Sequence, residues 1–217
     1  MSRTFAIPDI HGRYDLMCNA ITQIKAIVRP EDKLVFLGDY IDRGPHSALV
    51  VRRVRAGIDA GLPWIALKGN HEDFMAAGVG GDNQMLLGWL QNGGRETMES
   101  YEEIDRSIEA DAAWMGQLPV FHEDMHRVYV HAFAPEQFEM KDAPQGDVLW
   151  TRYPEGADVG YRGKHVVHGH TPKKNGPERF TNRTNLDCGA VFYGRFVVGV
   201  FDDEIAGGPI YQIEVMA

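Results

Sequence analysis

The stretch LVFLGDYIDRG, residues Leu34 to Gly44, joins two compositions that rarely meet. Four of its first five positions are apolar, as in a strand covered on both faces. Asp39, Asp42 and Arg43 then arrive within five residues, bracketed by Gly38 and Gly44. A core strand that ends in charge, with glycines to turn the backbone, fits an α/β sheet whose carboxyl edge carries a ligand site.

The segments on either side repeat the pattern. RTFAIPDIHG reads as a short strand closing on Asp9 and His11. In YDLMCNAITQIKAIV the residues Leu16, Ala20, Ile24 and Ile27 share one helical face. KLVFLGD is a second strand, SALVVRRVRAGIDAG a helix stopped by Gly61, and PWIALKGN a third strand that ends at Asn70 and His71. HEDFMAA opens another helix. Such alternation predicts βαβ units with right-handed crossovers, an α/β fold.

From Gly78 to about Leu118 the character changes. GVGGDNQ reads as a flexible loop, and QMLLGWLQNGG and TMESYEEIDRSIEADAAWMGQL as helices with acids toward solvent. Residues 78–118 are therefore expected to form a helical insertion over one edge of the fold. Strands dominate from Pro119, in PVFHED, RVYVHAF, KHVVHGH, TNLDCGA, GRFVVGVFD and PIYQIEV. Without a repeat or linker, residues 1–217 are expected to form a single domain.

Composition narrows the function. A chain of 217 residues that is 44% hydrophobic supports one substantial core. No run approaches the roughly 18 to 20 apolar residues of a membrane span. MSRTFAIPDIHG lacks a signal-peptide core, and two distant cysteines suggest no disulfide framework, so a cytoplasmic location is expected. The net charge of −9 argues against a general nucleic-acid binder.

The informative fact is where the polar residues sit. Asp9 and His11, Asp39 and Asp42, and Asn70 and His71 follow three successive strands, and His131 and His170 end two later ones. Singly, each has an ordinary explanation: Asn70 would cap a helix, His131 would be a satisfied core histidine, and Asp39 would sit in a turn. Together they place oxygen and imidazole donors on one rim, a mixture suited to manganese, iron or zinc.

In order, DIHG, GDYIDRG, GNHE, VHA and GHT resemble the calcineurin-like metallophosphoesterases. Within them the likeness is to the serine/threonine phosphoprotein phosphatases, especially the small bacterial and bacteriophage lambda-type enzymes. LQNGG, LPVF, VLWTR and NLDCGAVFYGRF extend it over nearly the whole chain. The resemblance implies two packed mixed β-sheets flanked by helices. It implies two divalent cations, manganese foremost, with iron or zinc also suited. Asp9 and His11 would hold one, Asn70, His131 and His170 the other, and Asp39 would bridge them. His71 would be the general acid and Asp42 its partner, while Arg43 and Arg152 would hold the phosphate.

The implied reaction is phosphomonoester hydrolysis by a hydroxide bridging the metals, on phosphoserine or phosphothreonine in proteins and potentially phosphotyrosine. Phosphorylated small molecules are the other substrate class, because symmetrical dinucleoside tetraphosphatases resemble the same scaffold. Those typically read GNHD, so Glu72 in GNHE leans toward the protein phosphatases. A non-catalytic binding module would be expected to have lost ligands, and here all are present. The oligomeric state stays open.

Two positions depart from the family's pattern. Pro8 stands where a glycine usually precedes the first aspartate, and Phe133 stands in HAF where HAG is common. The first is expected to alter a turn, the second to place a ring near the site. Asp187 and His168 are candidates to orient ligands from behind, Tyr193 to line the substrate groove, and Cys188 to be a small core residue.

Overall fold

The computed structural model describes residues 2–217. The first half follows the expected alternation: β1 (Arg3–Ile7), α1 (Tyr14–Lys25), β2 (Lys33–Phe36), α2 (Ser47–Asp59) and β3 (Trp64–Ala66). β1 pairs with β2, and β2 with β3, both in parallel. α1 buries Leu16, Met17, Ala20, Ile21 and Ile24. Ile27, expected on that face, lies beyond the helix end and is 41% exposed.

Residues 78–118, expected to form an insertion, are largely helical. α3 (Asn70–Val79) is followed by α4 (Asn83–Trp89), a π-helical turn at Leu90–Gly94, α5 (Arg95–Glu103) and α6 (Ile108–Gly116). The glycine-rich loop shrinks to Gly80, Gly81 and Asp82, because Asp82 caps α4 by accepting the Gln84 and Met85 amides. Not all the acids face water. Asp111 is buried, pairs with Arg106 and with Arg55 of α2 at 2.9 Å, and accepts the Tyr101 hydroxyl at 2.9 Å. One carboxylate thus ties α6 to α2, and a lone buried charge would not persist there without those partners.

The second half supplies β4 (Phe121–Glu123), β5 (Arg127–Val130), α7 (Gln145–Trp150), β6 (His165–His168), β7 (Glu178–Arg179) and β8 (Arg183–Asn185). A short α8 (Ala190–Tyr193) precedes β9 (Arg195–Asp202) and β10 (Tyr211–Met216). Two mixed five-stranded sheets result, ordered β10-β9-β1-β2-β3 and β4-β5-β6-β8-β7. The last two strands return to the first sheet, with β9 antiparallel to β1 and Phe5 opposite Val200.

Strand side chains alternate between faces, and the burial pattern follows that period of two. Ala6, Val35, Leu37, Leu67 and Phe201 meet Tyr129, Val167 and Leu186 between the sheets. The intervening Phe5, Ile7, Leu34 and Phe36 belong to the core shared with α1 and α2. On the far side Val128, Val130 and Val166 pack with Val148, Tyr153 and Tyr161. Two packed mixed sheets flanked by helices are what the motifs implied. Because β1, β2 and β3 are mutually parallel, as are β5 and β6, their carboxyl ends gather at the edge where the charged residues lie.

Candidate active site

Five of the site's non-glycine residues have positive φ: His11 (44°), Asp39 (52°), Asp42 (75°), Arg43 (68°) and His170 (66°). Only Asp105 and Arg162 share that property elsewhere among the described residues, so backbone strain is concentrated where the polar side chains converge. Glu72 holds one of these turns. Its carboxylate accepts the amides of Asp39 (2.7 Å), Gly69 (2.9 Å) and Tyr40 (2.8 Å), clamping the end of β2 to the start of α3.

Three of the predicted histidines have one ring nitrogen engaged by a backbone carbonyl. His11 Nδ1 faces the Ile41 carbonyl at 2.7 Å, His131 Nδ1 the Leu37 carbonyl at 2.9 Å, and His170 Nε2 the Trp150 carbonyl at 3.2 Å. A carbonyl only accepts, so each of these nitrogens carries the proton and the other presents a lone pair. Those lone pairs meet more acceptors. Asn70 Oδ1 lies 2.9 Å from His131 Nε2 and 3.1 Å from His170 Nδ1, and the two nitrogens are 3.2 Å apart. Asp39 Oδ1 approaches His131 Nε2 at 3.4 Å, and its Oδ2 approaches His11 Nε2 at 3.4 Å.

Acceptors turned toward one another repel unless a positive charge sits among them. Two groups satisfy the spacing for a metal ion: His11, Asp39 and His71, and Asp39, His131 and His170. Asp39 belongs to both. The donor chemistry therefore fits two cations that share this carboxylate, and mixed imidazole and oxygen donors suit a transition metal.

The expected grouping differs in two respects: His71, expected as the general acid, falls within the first group, and Asp9 falls outside it. Asp9 stands beside the first group, with both carboxylate oxygens taken up by the His170 amide at 2.9 and 3.2 Å. Gly169 makes this possible, since a Cβ there would fall 1.9 Å from Asp9 Oδ2. Burial and the neighbouring Asp187 push the Asp9 carboxyl well above the usual range, and burial, Glu72 and Asp9 do the same to Asp39. Burial lowers the His11 and His131 imidazoles well below theirs and takes His170 to about 4. Neutral imidazoles beside clustered buried carboxylates are what a cation site requires.

His71 Nδ1 lies 2.5 Å from Asp42 Oδ2, with Nε2 toward Asp39 at 3.9 Å. The other Asp42 oxygen accepts the Trp89 indole N–H (2.8 Å) and the Thr97 hydroxyl (2.7 Å). Burial, with Arg43 and His170 adding, lowers the His71 imidazole, and burial pushes Asp42 up to about 7. Trp89 and Thr97 come from the insertion, which therefore does more than cover an edge. A tryptophan in a buried helix must find an acceptor for its N–H, and that was the signal available.

Arg43 donates to His11 Nε2 at 2.6 Å, and its backbone N–H reaches the Gly93 carbonyl at 3.2 Å. A Cβ on Gly93 would sit 2.6 Å from that nitrogen, which explains the first glycine of LQNGG. Arg43 and Arg152 line a cavity of about 280 Å³ with Asp39, Asn70, His71 and His170, and with Asn92, Trp150, Pro172 and Phe192. All the predicted chemistry thus borders one space or lies directly behind it.

The supporting candidates divide. Asp187 is buried near Asp9, raised to about 6 by burial, and accepts the Gly189 amide at 2.8 Å. His168 is buried behind the site and accepts from Arg183 at 3.1 Å. Cys188 is buried, as expected. Phe133 turns away and packs on Tyr153 at 4.7 Å, so it does not line the cavity. Phe192, not Tyr193, takes the place on the wall. Pro8 is buried after the end of β1, where the ladder needs no donor from it.

The calcineurin-like phosphoesterase family model matches residues 2–197. The chain belongs to this family. An asymmetrical bis(5'-nucleosyl)-tetraphosphatase of Bacillus subtilis is 29% identical, with 86% of this chain and 85% of that protein covered. Serine/threonine-protein phosphatase 1 of Salmonella typhimurium is also 29% identical, covering 89% of each chain. A solved structure described as a putative diadenosine tetraphosphatase shares the fold, with a TM-score of 0.66 and 20% identity over 99% of this chain and 93% of that one. This phosphoesterase is thus a hydrolase with phosphatase relatives of two substrate types. Among the described residues, no helix is long and apolar enough to cross a membrane.

Proposed function

We propose that this phosphoesterase is a cytoplasmic phosphatase with a dinuclear metal centre, manganese foremost, acting on phosphoserine and phosphothreonine in proteins. The observation that carries it is the single carboxylate of Asp39 shared by two inward-facing groups, one of which includes His71, beside two arginines. His11 and Asp39, with Asp9 at their side, would hold one cation, and Asn70, His131 and His170 the other. When bound, the pair supplies Lewis acidity that activates water and neutralises phosphoryl charge.

The chain's own residues do the rest. The Arg43 and Arg152 guanidinium groups grip the non-bridging phosphoryl oxygens and orient the ester. A phosphate dianion held there offsets the arginine charge that depresses His71 and so favours its imidazolium. His71 Nε2 then delivers a proton to the departing alkoxide while Asp42 fixes the ring through Nδ1. Trp89 and Thr97 keep Asp42 in that orientation. No phosphoenzyme is needed.

A second reading, hydrolysis of dinucleoside polyphosphates, is favoured by the Bacillus subtilis relative. Glu72 supports the protein reading. The deciding experiment compares kcat/KM for a phosphoserine peptide and for diadenosine tetraphosphate with manganese present. The phosphopeptide is expected to be preferred, and a strong preference for the dinucleotide would transfer the assignment.

A further inference from the structure

Two large aromatic side chains at the cavity have no part in the hydrolytic chemistry, and the core does not use them fully. Trp150 is 39% exposed and Phe192 55% exposed, yet both line the same space as Arg43 and His71. Trp150 is braced from behind. Its ring meets Phe74 edge-on at 4.7 Å, and its carbonyl is tied to His170 at 3.2 Å. Phe192 stands on α8, four residues closed at both ends by the left-handed glycines Gly189 and Gly194. Its ring faces Arg43, whose guanidinium carbon lies 5.5 Å from the centroid.

That contact links the ring to the phosphate site. The guanidinium that would grip the phosphoryl oxygens rests over Phe192, so an ester held there would lie close to this ring. Fixed aromatic rings lose little conformational entropy on binding and offer an apolar face to a flat partner. A simple serine or threonine ester has nothing to lay against them.

We infer that Phe192 and Trp150 form an aromatic rim that adds binding for the flat ring of those phosphate esters that carry one, whether a nucleobase or a phenol, without setting the overall preference between substrate classes. The inference rests on the metal-dependent phosphatase reading and deepens it. Stacking a ring on an aromatic side chain is worth roughly tenfold in affinity.

The test uses the manganese-loaded enzyme and three substrates: diadenosine tetraphosphate, a phosphotyrosine peptide and the same peptide with phosphoserine. For each, kcat/KM is measured in the wild type and in Phe192→Ala, Phe192→Leu and Phe192→Tyr. The readout is the ratio of ring-bearing to phosphoserine substrate, because loosening Arg43 slows all three and cancels. This ratio is expected to fall about tenfold in the alanine and leucine variants and to persist in the tyrosine variant. A fall confined to the dinucleotide assigns the rim to nucleobases, and one confined to phosphotyrosine assigns it to phenols; either sustains the inference. Unchanged ratios in all variants overturn it. A wild type that turns over none of the three removes the underlying phosphatase reading as well.

Discussion

His71 Nδ1 and Asp42 Oδ2 lie 2.5 Å apart with both side chains buried, and the second Asp42 oxygen is already saturated by Trp89 and Thr97. The carboxylate cannot rotate, so the ring is fixed with Nε2 toward the cavity. If His71 protonates the leaving group, its loss should matter in proportion to how much that group needs a proton. His71→Asn is expected to slow an alkyl phosphate by about 100- to 10,000-fold. It should slow an aryl phosphate with an acidic phenol far less. Equal losses of kcat on the two esters would remove the general-acid assignment.

Asp39 is common to both ligand groups, whereas Asn70 faces only His131 and His170. Elemental analysis after saturation with manganese and removal of excess should therefore separate the two. Asp39→Ala is expected to retain less than one tightly held ion per chain, Asn70→Ala about one, and the wild type two. A chelator should abolish wild-type turnover, and restored manganese should return it. An Asp39→Ala protein that still holds two ions would exclude the bridging role.

Much of this site could be read in the sequence because the strands and their polar ends are contiguous. GDYIDRG and GNHE each carry strand end, turn and ligand together. What local pattern could not give was anything set by the third dimension. TNLDCGA reads as a strand, yet pairing stops at Asn185, where the Asp187 carboxylate turns the chain onto the Gly189 amide. Phe133 follows a ligand closely in sequence but leaves on the opposite side, toward Tyr153. One step along the four-residue α8 puts Phe192 rather than Tyr193 on the cavity wall. Trp89 reaches Asp42 across a separation of 47 residues, and nothing local announces that partner.

That long-range contact gives the insertion a measurable role. Trp89→Phe keeps the buried ring and removes one hydrogen bond to a charged acceptor, a loss of about 1.5–3 kcal/mol where fully expressed. Turnover of an alkyl phosphate is expected to fall roughly ten- to a hundredfold, with manganese content unchanged. The aryl phosphate should again be affected less, because Trp89 acts through Asp42 and His71. A variant that loses metal, or slows both esters alike, would point to a structural role only.

Acid sensitivity should have a component far from the site. Asp32, just before β2, accepts the Arg3 amide at 2.8 Å, the Arg29 amide at 2.9 Å and the Arg3 guanidinium at 2.6 Å. Burial alone would raise this carboxyl, but the Arg3 hydrogen bonds and the backbone amides outweigh it and hold the pKa below the usual range. A depressed folded pKa means the unfolded chain binds the proton more readily. The stabilisation is therefore fully present above the unfolded pKa of about 4 and is lost as pH falls through the lower, folded value. Asp32→Asn should destabilise the metal-free protein by about 1–3 kcal/mol at pH 7, judged by urea unfolding. At pH 3 the gap between variant and wild type should narrow, since the unfolded wild-type chain then takes up the proton and the carboxylate's advantage shrinks. A gap that stays constant between those pH values would show that the carboxylate's charge contributes nothing to holding β1 against the turn before β2.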